Sequence, residues 1–433
     1  MKSNLIKTSI LATSLSVLCA TNSFAETPLM PEVSKRYIKL VLGVGEHEPG
    51  YVDAYYGPEE LAAEAKNNKQ TVEQLKAEAH TLLAAVKEHA AEAKTDASAQ
   101  RFLFLEKQLI AIEARLRMLS GEKFSFDEET QLLFDATAPS VTTEELERKY
   151  KELDGLLEGE GSLQERMLAF KASYMIPKDK LKAVFDAAIS ECRTQTIKYM
   201  DLPANESFTK EFVTDKPWSG YNWYQGNANS LIQVNTDLPS PIDAAVNLGC
   251  HEGYPGHHVF NARLEEKLAV ENGWIEFSVY PLYSPQSFLA EGTASYARHM
   301  AFPGNTQTEF EENILYPLAG MDPTTAQKYA DVQEALGGLR YARIEGARRY
   351  IDGKITRDEA IKWNERYGLV SKERAAQMVD FVDTYGGYVI NYTLGSDLTK
   401  AYVDRHGGTD HKARWKVYTR LLSEPFTASM MND

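Results

Sequence analysis

A cluster of histidines with one glutamate is the strongest chemical feature of this chain. His251, His257 and His258 fall within eight residues, and Glu252 directly follows the first of them. Imidazoles are good zinc ligands, and a glutamate beside one of them can take a proton from a water molecule that the metal activates. The cluster therefore predicts a metal site with hydrolytic chemistry.

The spacing of these histidines departs from that of a regular zinc-binding helix. Two histidines share a helical face when they are four residues apart, but the fourth residue after His251 is Pro255. His257 and His258 follow at six and seven residues. Seven residues bring a side chain back to within about 20° of the same face, which favours His258. A two-residue bulge at Pro255-Gly256 would instead favour His257, which we prefer while both alternatives stay open.

Glu291 is the candidate for a further metal ligand. It is flanked by Leu289, Ala290 and Gly292 in an apolar helical segment, where a buried carboxylate needs a partner. Catalytic zinc takes three protein ligands and leaves one position for water. A salt bridge is the alternative explanation for this carboxylate.

The elements that would position these residues are predicted to be mostly helical. Apolar residues recur at steps of three and four over 72–94 and 97–119, as on the buried face of a helix. Alternating apolar and polar residues over 230–235 predict a short strand. Further helical segments are predicted at 163–200 with a break at Ile176-Pro177, 244–251, 286–300, 324–350, 357–367 and 372–382. The predicted fold is mainly α, with a small strand-containing layer beside the histidine helix.

The chain divides by composition near residue 205. A helical region over 26–204 precedes a region over 205–433 that contains the histidine cluster. The second region starts with a stretch rich in Asn, Gly, Trp and Tyr. We expect the two regions to pack as one body around a cleft.

The N-terminus predicts export. A positively charged start precedes an apolar run over 10–20, and a small-x-small cleavage pattern ends at Ala25, so residues 1–25 are typical of a signal peptide. A lipoprotein anchored through Cys19 is the weaker alternative, because Leu18 is bulky for that signal. The mature protein is predicted to be periplasmic or secreted.

Charge and hydropathy argue against several kinds of partner. The net charge of −15 disfavours nucleic acid and anionic membranes. No segment after the signal peptide has the roughly 20 apolar residues that a membrane span requires. Cys192 and Cys250 remain after cleavage, and their contexts leave open whether they pair. The sequence indicates no oligomeric state.

Two motifs carry a resemblance to known proteins. His-Glu-x-x-Pro-Gly-His-His at 251–258 and Glu-Gly-x-Ala-x-Tyr at 291–296 resemble a bacterial family of unknown function that is predicted to contain zinc peptidases. That family is similar to the gluzincin peptidases, including the carboxypeptidase Taq and oligopeptidase groups, which have a mostly helical fold with a deep cleft. The resemblance covers about residues 205–395 and is weak before them.

The resemblance implies one zinc ion per chain. The implied ligands are His251, His257 and Glu291. It further implies that Glu252 is the general base and proton shuttle. His258 is implied either to contact a ligand without binding the metal or to replace one of the ligands. Two positions depart from the pattern, because Thr293 stands where the family usually has Trp, and Ser295 where gluzincins often have an acidic residue. The groups that orient the ligands must therefore differ here.

Tyrosines near the C-terminal end of the resemblance are candidates for stabilising a negatively charged oxygen in the transition state. Either Tyr385 or Tyr392 could donate this hydrogen bond, although packing is the alternative role for both. The related family has Pro-Gly-Gln-Ala-x-x-Tyr here, of which this chain keeps the Gly and Tyr392 but not the Pro or Gln. An aromatic loop over 50–58 has no chemistry assigned to it.

Four other residues are candidates for binding a substrate. The strand over 230–235, with Gln233 and Asn235, could align an extended peptide through main-chain hydrogen bonds. Arg340 and Arg343 are predicted to share one side of a helix, where either could bind a substrate carboxylate as a fork. An ion-paired or solvated arginine is the alternative.

These features together predict a zinc metallopeptidase of the carboxypeptidase or oligopeptidase type that hydrolyses peptides. The alternative is an exported protein that binds metal without catalysis, for which Glu252 would be dispensable. A di-iron helical bundle is weaker, since no histidine has a glutamate three residues before it. A serine hydrolase is weaker still, because no Gly-x-Ser-x-Gly motif occurs.

Overall fold

The computed structural model describes residues 30–216, 218–237 and 239–432. The predicted signal peptide over 1–25 and Cys19 lie outside the described residues. The fold is mainly α, as predicted. Among the helices of the described ranges, none combines the length and the apolar character that crossing a bilayer would require.

The N-terminal region is built from amphipathic helices. Helices α1 to α8 are, in chain order, Met30–Gly45, Glu59–Asn67, Val72–His89, Asp96–Leu119, Phe126–Phe134, Thr143–Asp154, Leu163–Ala172 and Leu181–Thr196. The helices predicted over 72–94 and 97–119 are confirmed as α3 and α4. Thr71 and Thr95 cap their first turns, where free backbone N–H groups need an acceptor. The predicted break at Ile176-Pro177 separates α7 from α8.

The C-terminal region contains the remaining helices. Helices α9 to α19 are Asp243–Leu248, His257–Leu264, Pro285–Ala301, Thr306–Phe310, Tyr316–Ala319, Ala326–Gly337, Tyr341–Ile351, Arg357–Gly368, Lys372–Tyr385, Ile390–Gly407 and His411–Leu421. The prediction of one helix over 324–350 is wrong, because the chain forms α14 and α15 with a break after Gly337-Gly338. Each glycine costs about 1 kcal/mol relative to alanine inside a helix, so two in a row favour an end.

Two small sheets lie among the helices. Strand β1 (Val52–Tyr55) pairs antiparallel with β5 (Val279–Pro281). The other sheet has the order β2-β4-β3, formed by Ser207–Val213, Asn229–Asn235 and Gly220–Gly226. The strand predicted over 230–235 is confirmed as β4, and it is the central strand of this sheet. Its neighbours occupy both of its hydrogen-bonding edges, so β3 is an edge strand.

Helix α11 connects the two regions of the chain. It packs along α18 and also contacts α4, α5 and α8. At the crossing with α18, a Cβ atom on Gly292 would lie 2.6 Å from the carbonyl carbon of Gly395. The two helices therefore meet backbone to backbone at glycines. One core cluster contains buried residues from both regions, and the boundary near residue 205 stays a prediction.

A disulfide bond joins the N-terminal region to the histidine cluster. Cys192 of α8 pairs with Cys250, and their Cα atoms are 5.5 Å apart. The pairing that the sequence left open is therefore present in the structure. Because Cys250 directly precedes His251, the bond anchors the start of the cluster to α8.

Replacing Cys192 and Cys250 together by alanine is expected to lower the free energy of unfolding by about 2–4 kcal/mol. The bond spans a sequence separation of 58 residues, so it removes many conformations from the unfolded chain. Urea unfolding measures the effect. A reductant should destabilise the wild type and leave the double variant unchanged, and an unchanged wild-type midpoint would contradict this expectation.

Gly292→Ala is expected to lower the free energy of unfolding by about 1–3 kcal/mol, because the added methyl group must push α11 away from α18. Gly337→Ala is the matched control, since a Cβ atom there meets nothing within 4 Å. That control should be neutral or slightly stabilising. Thermal unfolding of the two variants checks the difference, and equal melting temperatures would show that the crossing tolerates a side chain.

Candidate metal centre

The histidine cluster lies where a helix is interrupted. Helix α9 continues into a π-helical turn, Gly249–Gly253, and α10 begins at His257 after a short break. The Gly256 N–H donates to the carbonyl oxygen of Cys250 at 2.9 Å, so the chain folds back onto the turn. A Cβ atom on Gly256 would overlap the carbonyl oxygen of His251, and only glycine fits this position. The fold-back places the His257 side chain beside that of His251.

Three side chains each direct one potential ligand atom toward a common centre. The Nε2 atoms of His251 and His257 are 3.1 Å apart. Glu291 Oε2 lies 3.2 Å from the first of these nitrogens and 3.5 Å from the second. Around a tetrahedral zinc ion with bonds of about 2.0–2.2 Å, ligand atoms are about 3.3–3.6 Å apart. The two imidazoles and the carboxylate thus fit a zinc ion in both chemistry and spacing.

The Glu291 carboxylate supports this fit. Its Oε2 atom is buried and, within the described ranges, meets no hydrogen-bond donor in favourable geometry. Its Oε1 atom accepts a hydrogen bond of 3.0 Å from the Tyr388 hydroxyl, which in turn accepts one of 2.9 Å from Ser287. Burial would raise the pKa of Glu291, but His257 and His251 hold it below its ordinary value. An anionic oxygen buried in this way is stabilised by a cation.

His258 does not belong to this group. Its Nδ1 atom lies 2.9 Å from Ser230 Oγ, and its Nε2 atom lies 3.1 Å from Glu206 Oε2. The ring is buried, and it ties α10 to β4. Because both ring nitrogens already have partners away from Glu291, the structure does not bring His258 to the centre as an alternate ligand.

The Glu252 carboxylate lies beside the three potential ligands. The residue is 5% exposed, and its backbone carbonyl accepts a hydrogen bond of 2.7 Å from Asn222. A Cβ atom on Gly220 would lie 3.0 Å from Glu252 Oε1, so β3 passes directly over the carboxylate. Burial, opposed by His251 and assisted by Glu291, raises the pKa of Glu252 to about 7. Such a group can accept and release a proton near neutral pH.

A cleft of about 700 Å³ opens onto these residues. Besides Glu252 and the three potential ligands, its lining includes three other predicted residues, Tyr385, Tyr392 and Arg343. The Tyr392 ring stacks on His251 with 6.4 Å between ring centres, whereas Tyr385 packs on Phe381 at 4.8 Å. Burial raises the pKa of Tyr392 well above its ordinary value, so its hydroxyl keeps its proton and can donate it in a hydrogen bond.

Three predicted substrate-binding residues do not line the cleft. Arg340 precedes α15 and forms an ion pair of 2.6 Å with Asp397. Gln233 bonds to the neighbouring strands, accepting from Trp223 at 3.0 Å. Asn235 donates to the carbonyl oxygens of Lys216 and Trp218. The proposed peptide-aligning role of β4 is also wrong, because its two edges are already paired.

The sequence missed several residues at the cleft. The aromatic loop over 50–58 contributes Asp53, which accepts a hydrogen bond from Tyr221 of β3. Burial raises the pKa of Asp53 to about 6, although this hydrogen bond opposes the shift. Tyr388 and Arg374 were also missed. The many aromatic residues in the loop and around Tyr388 were the available signal in the sequence. Composition alone does not show which of these residues contact the cleft.

Comparisons with known proteins indicate the fold alone. No family model matches the chain, and no curated protein matches it. Among solved structures, a candidate lipoprotein from Colwellia psychrerythraea is 14% identical with a TM-score of 0.53, covering 85% of this chain and 70% of that one. At that identity the match supports a shared fold and no activity.

Two further solved structures have lower TM-scores, which support no conclusion. The M32 carboxypeptidase from Deinococcus radiodurans R1 is 11% identical with a TM-score of 0.45, covering 91% of this chain and 90% of that one. A candidate lipoprotein of unknown function from Shewanella oneidensis is 12% identical with a TM-score of 0.41, covering 86% and 75%. The resemblance to zinc peptidases therefore stays a prediction.

His257→Ala is expected to abolish tight zinc binding, because it removes one of the three potential ligands, whereas His258→Ala should keep one zinc per chain. The second variant removes contacts with Ser230 and Glu206, so its melting temperature should fall. Elemental analysis of dialysed protein and thermal unfolding separate the two effects. Zinc loss in His258→Ala with retention in His257→Ala would overturn the ligand assignment.

Proposed function

We propose that this chain is a zinc-dependent metallopeptidase that hydrolyses peptides. The observation that carries the proposal is the grouping of His251, His257 and Glu291, whose ligand atoms are 3.1–3.5 Å apart, beside the buried Glu252. These three residues would hold the ion. Bound there, zinc supplies a Lewis acid that activates water and polarises a peptide carbonyl group.

Glu252 has the position of a general base. In the proposed reaction its carboxylate accepts a proton from the attacking water and passes it to the nitrogen of the leaving amine. The close approach of Gly220 leaves little space beside Oε1, and Glu252 lines the same cleft as the three proposed ligands.

Tyr392 is the proposed donor to the negatively charged oxygen that develops on the substrate carbonyl. Its ring lies against His251, and burial together with the charges of the nearby Glu291 and Glu252 raises the pKa of its hydroxyl. Tyr385 is the second candidate, since it lines the same cleft. The Tyr388 hydroxyl already donates to Glu291, and its proposed role is to orient that ligand.

Strand β3, and not β4, is the proposed guide for an extended substrate. Residues 220–223 of β3 line the cleft, and β3 is an edge strand of its sheet. An edge strand offers free main-chain groups to a peptide. The predicted signal peptide and the disulfide bond between Cys192 and Cys250 support action in an oxidising compartment outside the cytosol.

Glu252→Gln is expected to keep about one zinc per chain and to lower kcat on a peptide mixture by about 100-fold or more, because the amide cannot accept the proton. Mass spectrometry of the products and elemental analysis of the protein measure the two quantities. Glu311→Gln is the matched control, since Glu311 is also a buried glutamate but does not line the cleft. That control should keep full activity.

Full activity of Glu252→Gln would overturn the mechanism. Stoichiometric zinc in the wild type without turnover of any peptide would instead favour the alternative of a non-catalytic metal-binding protein.

A further inference from the structure

Two arginines line the cleft without a carboxylate partner. Within the described part of the chain, most arginines lie within 4.0 Å of a carboxylate oxygen, but Arg343 of α15 and Arg374 of α17 do not. Arg343 packs its guanidinium over Phe381 at 5.0 Å, and its buried Nε atom has no hydrogen-bond acceptor among the residues that the structure describes. Arg374 donates to the side-chain oxygen of Gln377.

Comparison with Arg348, a buried arginine on the same helix, shows that on α15 the lack of a carboxylate partner is particular to the arginine of the cleft. Arg348 is also on α15 and is 5% exposed, yet its guanidinium donates to Asp127, Glu345 and the carbonyl oxygen of Ala138. Burial lowers the pKa of Arg343, and the charge of Arg374 lowers it further. Two positively charged guanidinium groups thus face one cavity with unused hydrogen-bond donors. An anion between them would reduce their mutual repulsion and would accept hydrogen bonds from these donors.

Arg343 lies on the same wall of the cleft as Tyr392, and Arg374 lines the cleft from the helix that carries Phe381. The ring of Phe381, which contacts Arg343, is 6.3 Å from the ring of Tyr392, and Tyr392 stacks on His251. A peptide reaching the candidate metal centre along this wall would therefore pass the two guanidinium groups. Arginine forks match the geometry of a carboxylate.

We propose that Arg343 and Arg374 form a carboxylate-binding pocket that selects among peptide substrates. This inference rests on the proposed peptidase function and names its substrate class, which is peptides with a carboxylate a short distance from the cleaved bond. The carboxylate can be the C-terminal one or that of an acidic side chain, and the two sources present the same chemistry to the guanidinium groups.

Four matched peptides distinguish the two sources. They combine a free or an amidated C-terminus with Glu or Gln at one internal position. Loss of the recognised carboxylate should lower kcat/KM of the zinc-loaded wild type by at least about tenfold. An effect of amidation identifies the C-terminal carboxylate, and an effect of Gln identifies the acidic side chain. Equal kcat/KM for all four peptides would overturn the proposal.

Arg343→Gln and Arg374→Gln should lower kcat/KM by at least about tenfold for the peptide with the recognised carboxylate and change it little for the peptide without it. Arg343→Lys keeps the charge and should give an intermediate loss. Arg340→Gln, a change outside the cleft three residues away, should keep the wild-type preference. An equal loss on all four peptides would show that Arg343 has a structural role only.

Binding measurements separate this inference from the proposed function. Calorimetry with zinc-loaded Glu252→Gln compares the affinities of the same four peptides without hydrolysis. Tighter binding of the peptide with the carboxylate, lost in the added Arg343→Gln change, would support the pocket even if the wild type hydrolyses nothing. Equal or undetectable binding of all four would overturn the pocket even if the wild type is an active peptidase.

Discussion

The carboxylate of Glu291 is buried against two imidazoles, and several other features of the structure depend on holding it there. An anion removed from water costs several kcal/mol unless cations or donors surround it. One oxygen meets the Tyr388 hydroxyl, while the other lies beside His251 and His257 and has no hydrogen-bond donor among the described residues. Helix α11 can place the Glu291 carboxylate at this position because it packs closely on α18, which it crosses at glycines. The oxygen that lacks a donor is the physical reason to expect a cation.

Patterns along the sequence predicted those features that depend on neighbouring residues. Periodic apolar positions predicted α3 and α4, and alternation predicted β4. Proline and glycine at 255–256 predicted an interrupted helix, and the structure shows why the interruption favours His257, since the chain folds back over the carbonyl of His251. A carboxylate in an apolar helix predicted that Glu291 needs a partner. Each of these arguments uses only the geometry of a few consecutive residues.

Features that depend on the packing of distant segments were not predictable in this way. The position of β4 between two strands follows from its parallel pairing with β2, which no alternation pattern reveals. Arg340 and Arg343 were expected to share a helical face, but α15 begins only at Tyr341, and they point to different surroundings. Tyr388 and Arg374 approach the cleft from segments whose relative placement is set by tertiary contacts.

The disulfide bond has a topological consequence. All of β2, β3 and β4 lies in the loop that Cys192 and Cys250 close. A single cut of the backbone anywhere in this loop would leave one covalent molecule, in which His251 is still attached to α8. An oxidised chain that meets other proteases could therefore be nicked beside its sheet without releasing a fragment, and the two pieces would separate only after reduction and unfolding.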